Sequence, residues 1–494
     1  MPSSIELNIG HVPSPRRRRG AAEDGDDDGV PPFRVVVLGD FSGRPAAERE
    51  ALGERRPLRV DVDNFEAVFA RIAPTALIAG LQDKLGIQLR IALATMDEFS
   101  ADAVFARLPA HSLAALAPTV AAAVVAPPAT APTADAPGAE DADATLRRLL
   151  GGSVPDTAPA RAAAPAPKHD EAVDRFIRQL VGAAPVAPQP AAPAPAGSDA
   201  AAAALLRHVL RDPQWRHLES AWRAVDRFVR QLDMADGHVR LELLDCRADE
   251  LLADLVACAG DAARSALKPA LHGDGRGCAL LVSLEEFGPG VTELSLLGGL
   301  AATAAAHDAV LIAGAAPALA AVATSEDAQV LATPGARVWT ALRASAVAAR
   351  IGLTFPRLLA RLPYGPRNEP VSAFAFDELA DLGGDALHGG LLWRSAALDA
   401  ALLLAQGVDD DGGDAGVESR VQLEDLPAFI DRSGDEPRLQ AVAETYLGER
   451  DVNVLQSAGL MALQSDRRVP HARVSGWQSI AAGGGALAGR WRAV

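Results

Sequence analysis

The residues most easily cast in a chemical role are Asp24, Asp26 and Asp28 ahead of Gly29, which copy the opening of a calcium-binding loop. The bidentate glutamate such a loop needs at its twelfth position is Val35 here, so the run reads as a solvated acidic tether. A glycine cluster, Gly483-Gly484-Gly485-Ala486-Leu487-Ala488, imitates a dinucleotide loop. It stands too near the last residue of this sequence to open the βαβ unit that loop requires, and it reads as a flexible tail. The three lysines, Lys84, Lys168 and Lys268, follow no phosphate-loop glycine pattern. Cys246, Cys258 and Cys278 lack the close spacing of a zinc site. The ten histidines contain no H-E-x-x-H, and His307 on an Ala-rich helix is expected as a satisfied core residue. Tyr364, in Leu362-Pro363-Tyr364-Gly365, reads as a turn-packing aromatic. No residue is assigned to catalysis, to a cofactor or to a metal, and an enzyme is not expected.

Composition narrows the class. A net charge of −17 argues against nucleic acid as the main partner, because phosphate binding needs a basic face. Arginine supplies 44 of the 47 basic residues, a skew that looks like coding bias. The odd, widely spaced cysteines fit a reducing cytoplasm. The first seven residues lack the apolar core of a signal peptide. The most apolar stretch, 294–322, is broken by Gly, His307, Asp308 and Pro317, so no membrane span is expected and a buried helix followed by a buried strand is.

The elements follow from periodicity. Ile5, Leu7 and Ile9 alternate with polar residues, a half-buried strand, and the charge blocks at 16–19 and 23–28 make the rest of 1–31 a tether. Residues 32–117 read as an α/β unit: a buried strand at 35–38, a helix carrying Phe65, Val68, Phe69 and Ile72, and a strand through Ile87, Leu89, Ile91 and Leu93. A helix over 101–108 follows, capped by Ser100 or Asp102. Residues 118–200 are an Ala/Pro linker. Two short amphipathic islands interrupt it, one with Leu146, Leu149 and Leu150, the other with Val173, Phe176, Ile177 and Leu180.

From 201 to 494 the pattern is again globular. Trp215, Leu218, Trp222, Val225, Val229 and Leu232 form a helical stripe, and Val239, Leu241 and Leu243 a strand. Residues 249–258 are helical, 278–282 a strand, 294–306 a helix, 309–313 a strand and 391–406 a long apolar helix. The tail reads as a strand from 439, a helix over 450–457 and a strand over 460–463. Alternating strands and helices give an α/β to α+β, multidomain chain.

Two groups of blocks carry a resemblance. Leu38-Gly39-Asp40-Phe41-Ser42-Gly43, followed by Asp61-Val62-Asp63-Asn64-Phe65 within the blocks 32–45, 56–72 and 89–108, resembles the small subunit of the type VI secretion contractile sheath. Asp212-Pro213-Gln214-Trp215 opens a second group, over 215–223, 245–255, 341–365, 374–379 and Leu392-Trp393, which resembles the large subunit. The resemblance implies a phage-tail-like sheath architecture with both subunits on one chain, a structural protein of the bacterial cytoplasm. It implies self-assembly with other sheath protomers, contact with the inner tube and baseplate, and recycling by an AAA+ ATPase. From charge and hydropathy, no nucleic-acid or membrane partner is expected. The rival expectation is a non-polymerising sheath-like adaptor of the same apparatus.

Three expectations follow. Ile5, Leu7 and Ile9 add a strand to a neighbouring sheet. The unit 33–117 packs on the domain after 201, because its apolar stripes are too extensive to bury alone. The two linker islands either pack on the body or present helices to the recycling ATPase.

Overall fold

The computed structural model describes residues 32–78, 89–108, 197–258, 261–273, 277–383, 385–410, 420–431, 438–439, 442–466 and 469–489. The described residues belong to one compact unit, and its core is a nine-stranded sheet. Its strands are β1 (Phe33–Gly39), β2 (Leu58–Val60), β5 (Val239–Asp245), β6 (Leu280–Phe287), β7 (Val310–Ala315), β8 (Ile351–Phe355), β11 (Gln422–Leu423), β14 (Leu460–Ser465) and β15 (Ala472–Val474). They stand in the order β11-β15-β14-β8-β7-β6-β1-β5-β2. Three small pairs complete the strands: β3 (Thr75–Ile78) with β4 (Leu89–Ala92), β9 (Leu358–Leu359) with β10 (Trp393–Arg394), and β12 (Ile430–Asp431) with β13 (Arg438–Leu439).

Six central strands, β5, β1, β6, β7, β8 and β14, run parallel. Parallel strands are covered on both faces, which is why β1 reads Phe-Arg-Val-Val-Val-Leu-Gly without alternation. Val35 and Val37 point into one core and Val36 and Leu38 into the other. The first core packs α1 (Phe65–Ile72), α4 (Pro213–Gln231) and α8 (Ala397–Asp410); the second packs α6 (Val291–Ala306), α7 (Pro334–Arg343) and α9 (Glu449–Ser457). Between α1 and α4 in the chain come α2 (Ala101–Arg107) and α3 (Gly197–Leu210), and α5 (Ala248–Ala257) follows β5. The result is a sheet between two helical layers.

Several elements sit where periodicity placed them, including α1, α6, β5 and α9. Of the two candidate caps for α2, the Ser100 hydroxyl accepts from the Ala103 amide at 3.4 Å, while Asp102 accepts from Ser372. The long apolar helix expected over 391–406 begins later. Trp393 and Arg394 pair with Leu359 and Leu358 as strands, and the Ser395 hydroxyl accepts from the Ala397 amide to start the helix there. The glycine cluster near the end is no loose tail. The Ser479 amide donates to Gly485 O, the Ala488 amide donates to Ala349 O, and Leu487 is fully buried beside Gly352. His307 is not a satisfied core histidine either: it is half-buried at the end of α6, and its Nε2 is buried without a hydrogen-bond partner. Among the described residues no helix is long and apolar enough to cross a membrane.

Candidate assembly site: the join between the two segments

The first segment does not stand beside the second; it completes its sheet. β1 lies between β5 and β6, paired with β5 from Phe33↔Val239 to Gly39↔Asp245 and with β6 from Val35↔Leu280 to Leu38↔Ser283. β2 then caps the β5 edge in antiparallel register. The stretches 32–117 and 201–494, read from sequence as two domains, therefore share one hydrogen-bonded sheet. Arg34 enters this core with β1. Its guanidinium donates to Leu271 O at 2.9 Å, to Ala270 O at 2.5 Å and to Glu242 Oε2 at 2.6 Å, so the charge is buried with a partner.

The two motifs that stand out in the sequence meet at the end of β1. Asp212 caps α4 by accepting from the Gln214 and Trp215 amides, with Pro213 at the first helical position. From that helix, Gln214 Nε2 donates to Gly43 O at 2.6 Å, and Trp222 Nε1 donates to Phe41 O at 2.9 Å. Phe41, Phe65 and Phe69 close on the Trp222 ring, and Phe99 on Trp215, with centroids between 4.5 and 5.9 Å. Gly43 is required in this turn. Its φ is +63°, and a Cβ there would lie 2.4 Å from Thr75 O and 2.8 Å from Leu218 Cδ1. The Phe41 and Ser42 amides both donate to Asp245 Oδ1 at 2.8 Å, so the chain's own carboxylate fills the anion cradle of this turn.

A buried charge network pins the other side of α4. Glu219, with no exposed surface, accepts from Arg361 Nε at 2.6 Å and from Arg223 Nε at 2.8 Å. Arg361 also donates to Glu378 Oε2 at 2.7 Å, and its guanidinium lies 3.8 Å from the Tyr364 ring centre. The Tyr364 hydroxyl reaches back to the first segment, donating to Phe99 O at 3.1 Å. Burial pushes the Glu219 carboxyl up, but Arg361 and Arg223 outweigh it and hold it below the ordinary glutamate value. Tyr364 is thus more than a turn-packing ring. Sequence reading assigned no role to Glu219, although its position four residues after Trp215, inside the apolar stripe, was the available signal.

Glu286, at the end of β6, shows the opposite arrangement. Its Oε1 is buried without a hydrogen-bond partner and packs on Gly314, where a Cβ would approach to 2.0 Å. Burial pushes its carboxyl up to about 7, against the opposing pull of Ser395 and Arg357; Glu444 and Glu285 push the same way as burial. Arg357 is engaged by Glu444 through two hydrogen bonds, at 2.8 and 2.5 Å. Burial likewise drives the Cys246 thiol upward, so it is not a poised nucleophile. Among the described residues no group of His, Cys, Asp and Glu could hold a metal ion.

The residues expected to carry assembly, Ile5, Leu7 and Ile9, lie outside the described residues, as do Leu146, Leu149, Leu150, Val173, Phe176, Ile177 and Leu180.

Two separated segments thus complete one sheet lying between two helical layers, and this is the class of fold the chain presents. Residues 196–481, more than half of the chain, match the VipB family model, described as the EvpB tail sheath N-terminal domain, and the chain belongs to that tail-sheath family. Residues 22–117 match the type VI secretion system VipA model. The chain is similar to the type VI secretion system sheath protein TssC1 of Pseudomonas aeruginosa, 28% identical over 305 residues, which is 58% of this chain and 60% of that protein. It is also similar to the sheath protein TssB1 of the same organism, 34% identical over 76 residues, 15% of this chain and 44% of that protein. The chain thus spans three fifths of one relative and under half of the other. Small- and large-subunit homology of the type VI secretion sheath is present on one chain.

Proposed function

We propose that this chain is a structural sheath protomer, small and large subunits in one polypeptide, that polymerises around the inner tube of a type VI secretion apparatus in the bacterial cytoplasm. The observation that carries the reading is β1: a strand of the VipA-like segment sits in the middle of the sheet built by the VipB-like segment. A pairing that deep makes the two segments one folding unit, and a covalent link fixes their ratio and raises their effective concentration for each other. The linker expected over 118–200 gives up 197–200 to α3, and a random coil of the remaining length would span roughly 50 Å, enough to cross a domain.

On this reading, Ile5, Leu7 and Ile9 supply an edge strand to a neighbouring protomer, since an isolated strand leaves its backbone groups unpaired. The islands around Leu149 and Phe176 are docking helices for a recycling AAA+ ATPase or packing helices of the same body. Baseplate and inner tube are the remaining partners.

Electron microscopy of the purified full-length chain tests the proposal. Tubular polymers are expected, and deletion of residues 1–12 is expected to abolish them while leaving thermal unfolding of the monomer unchanged. A chain that stays monomeric at every concentration would instead be a sheath-like adaptor. Peptides 141–155 and 168–184 in a pull-down with the cognate ATPase decide the role of the islands: capture assigns recognition, and no capture assigns packing.

A further inference from the structure

The chain order makes one place at the carboxyl ends of the parallel strands special. From β1 the chain adds β5 on one side and then β6 on the other, so β1 is the point where the direction of the sheet reverses. In open α/β sheets the crevice outside the strand ends at such a point is where ligands are held. A cavity of about 410 Å³ lies there, against Ser42 after β1 and Asp245 at the end of β5, within the size range of small-molecule sites.

Its walls are rich in guanidinium: Arg44, Arg49, Arg55, Arg56 and Arg71. Two of these are committed. The Arg49 side chain is 2% exposed, bonds Asp40, and lies 3.3 Å from Asp245 and 3.8 Å from Glu250; Arg55 bonds Glu250. Arg49 Nη1 is nonetheless buried without a hydrogen bond. The other three form no salt bridge among the described residues, although Arg44 acts on the Glu48 carboxyl at longer range. Arg44 spends its Nη2 on Ile72 O at 2.8 Å, and Arg56 and Arg71 are exposed. The acidic lining is Glu48, Glu50, Glu54 and Asp245. Of these, Glu48 pairs with Arg90, and Asp245 is engaged by the Phe41 and Ser42 amides. In a chain with 64 acidic and 47 basic residues, a wall of five arginines against the four carboxylates Glu48, Glu50, Glu54 and Asp245 tips the local balance to the basic side.

We propose that this crevice binds a multivalent phosphate-type oxyanion, pyrophosphate or the phosphate chain of a nucleotide, between Arg44, Arg56 and Arg71. Arginine forks match phosphate oxygens bidentately. Because Asp245 already occupies the backbone amides of the turn, side chains must hold the anion. The site is lined mainly by the VipA-like segment, with Leu243 and Asp245 from the VipB-like one, so a bound anion would cross-link the join.

Isothermal titration of pyrophosphate, and separately of ADP, into the full-length chain at about 50 mM salt, where screening is weak, tests the proposal. Saturable binding is expected, weakened about ten-fold or more in R56A/R71A, the equivalent of one or two charge-assisted hydrogen bonds. R230A, an exposed guanidinium paired with Asp226 on α4, should leave affinity unchanged. E50Q/E54Q should bind more tightly. ADP binding more tightly than pyrophosphate identifies a nucleotide; equal affinity identifies the free anion. Both substituted arginines are exposed, so thermal unfolding without ligand should match the parent. No saturable heat, or equal affinity in R56A/R71A, would overturn the proposal and leave these arginines as guards of the open β2 edge.

Discussion

Glu219 and Glu286 are both carboxylates held in protein, and they have opposite fates. Glu219 lies at the join, bonded by Arg361 and Arg223, with Glu378 taking the rest of Arg361. Glu286 lies at the end of β6 with one oxygen bonded to nothing, because the nearby Arg357 is held by Glu444. The difference lies in whether a guanidinium is free to come. Where α4 and the 361–378 stretch must stay together, charges are matched; where β6 and β7 merely end, a carboxylate is left over. Their pH dependences therefore have opposite signs. The lowered carboxyl of Glu219 contributes stability above its unfolded value of 4.5, lost as pH falls through its folded value. The raised carboxyl of Glu286 contributes stability below 4.5, lost as pH rises through about 7.

The sharpest way to break this contrast is Arg361→Ala. Removing the cation leaves Glu219 and Glu378 buried with too little compensation, and a loss of about 3–5 kcal/mol is expected in denaturant unfolding. A double-mutant cycle of Glu219→Gln with Arg361→Met should return a coupling of about 1–3 kcal/mol, since the two share one network. A coupling near zero would mean that packing, and not charge pairing, holds α4 to the loop.

Glu286→Gln should act in the other direction. At pH 8 the parent carries an ionised, under-bonded carboxylate, and the variant is expected to gain about 1–2 kcal/mol, with no gain at pH 4 where the parent is already neutral. A gain of the same size at both pH values would assign the effect to packing against Gly314. The smallest effect belongs to the exposed pair on α4. Arg230→Ala removes an i,i+4 contact with Asp226, with an expected change of about 0.3–0.5 kcal/mol that vanishes in high salt.

Much of the fold was legible in local pattern. The stripe from Trp215 to Leu232, the alternation at Val239–Leu243 and the unbroken Val35–Leu38 run each correspond to an element with its apolar side buried. Short elements were not legible. Leu358–Leu359 and Trp393–Arg394 are two-residue strands, with no room for a period, and they exist only because they pair with each other. β15 lay hidden for the same reason: three residues, Ala472–Val474, placed by β14 and β11. The terminal glycine cluster read as loose because glycine removes the apolar signal, yet Leu487 buries itself fully beside Gly352.

The sequence by itself carried the family resemblance, since the Asp40–Gly43 turn and the Asp212–Trp215 cap are written in contiguous residues whose side chains act on their own backbone. It also determined that β1 must be covered on both faces, since four consecutive apolar residues leave no solvent side. Only the tertiary structure decided what covers it. Neither the insertion of β1 between β5 and β6, some two hundred residues away, nor the meeting of Glu219 with Arg361 across 142 positions, leaves a trace in local spacing. Such pairings are selected by the free energy of the whole sheet and of charges buried together, a property of contacts that form when distant segments close on one another.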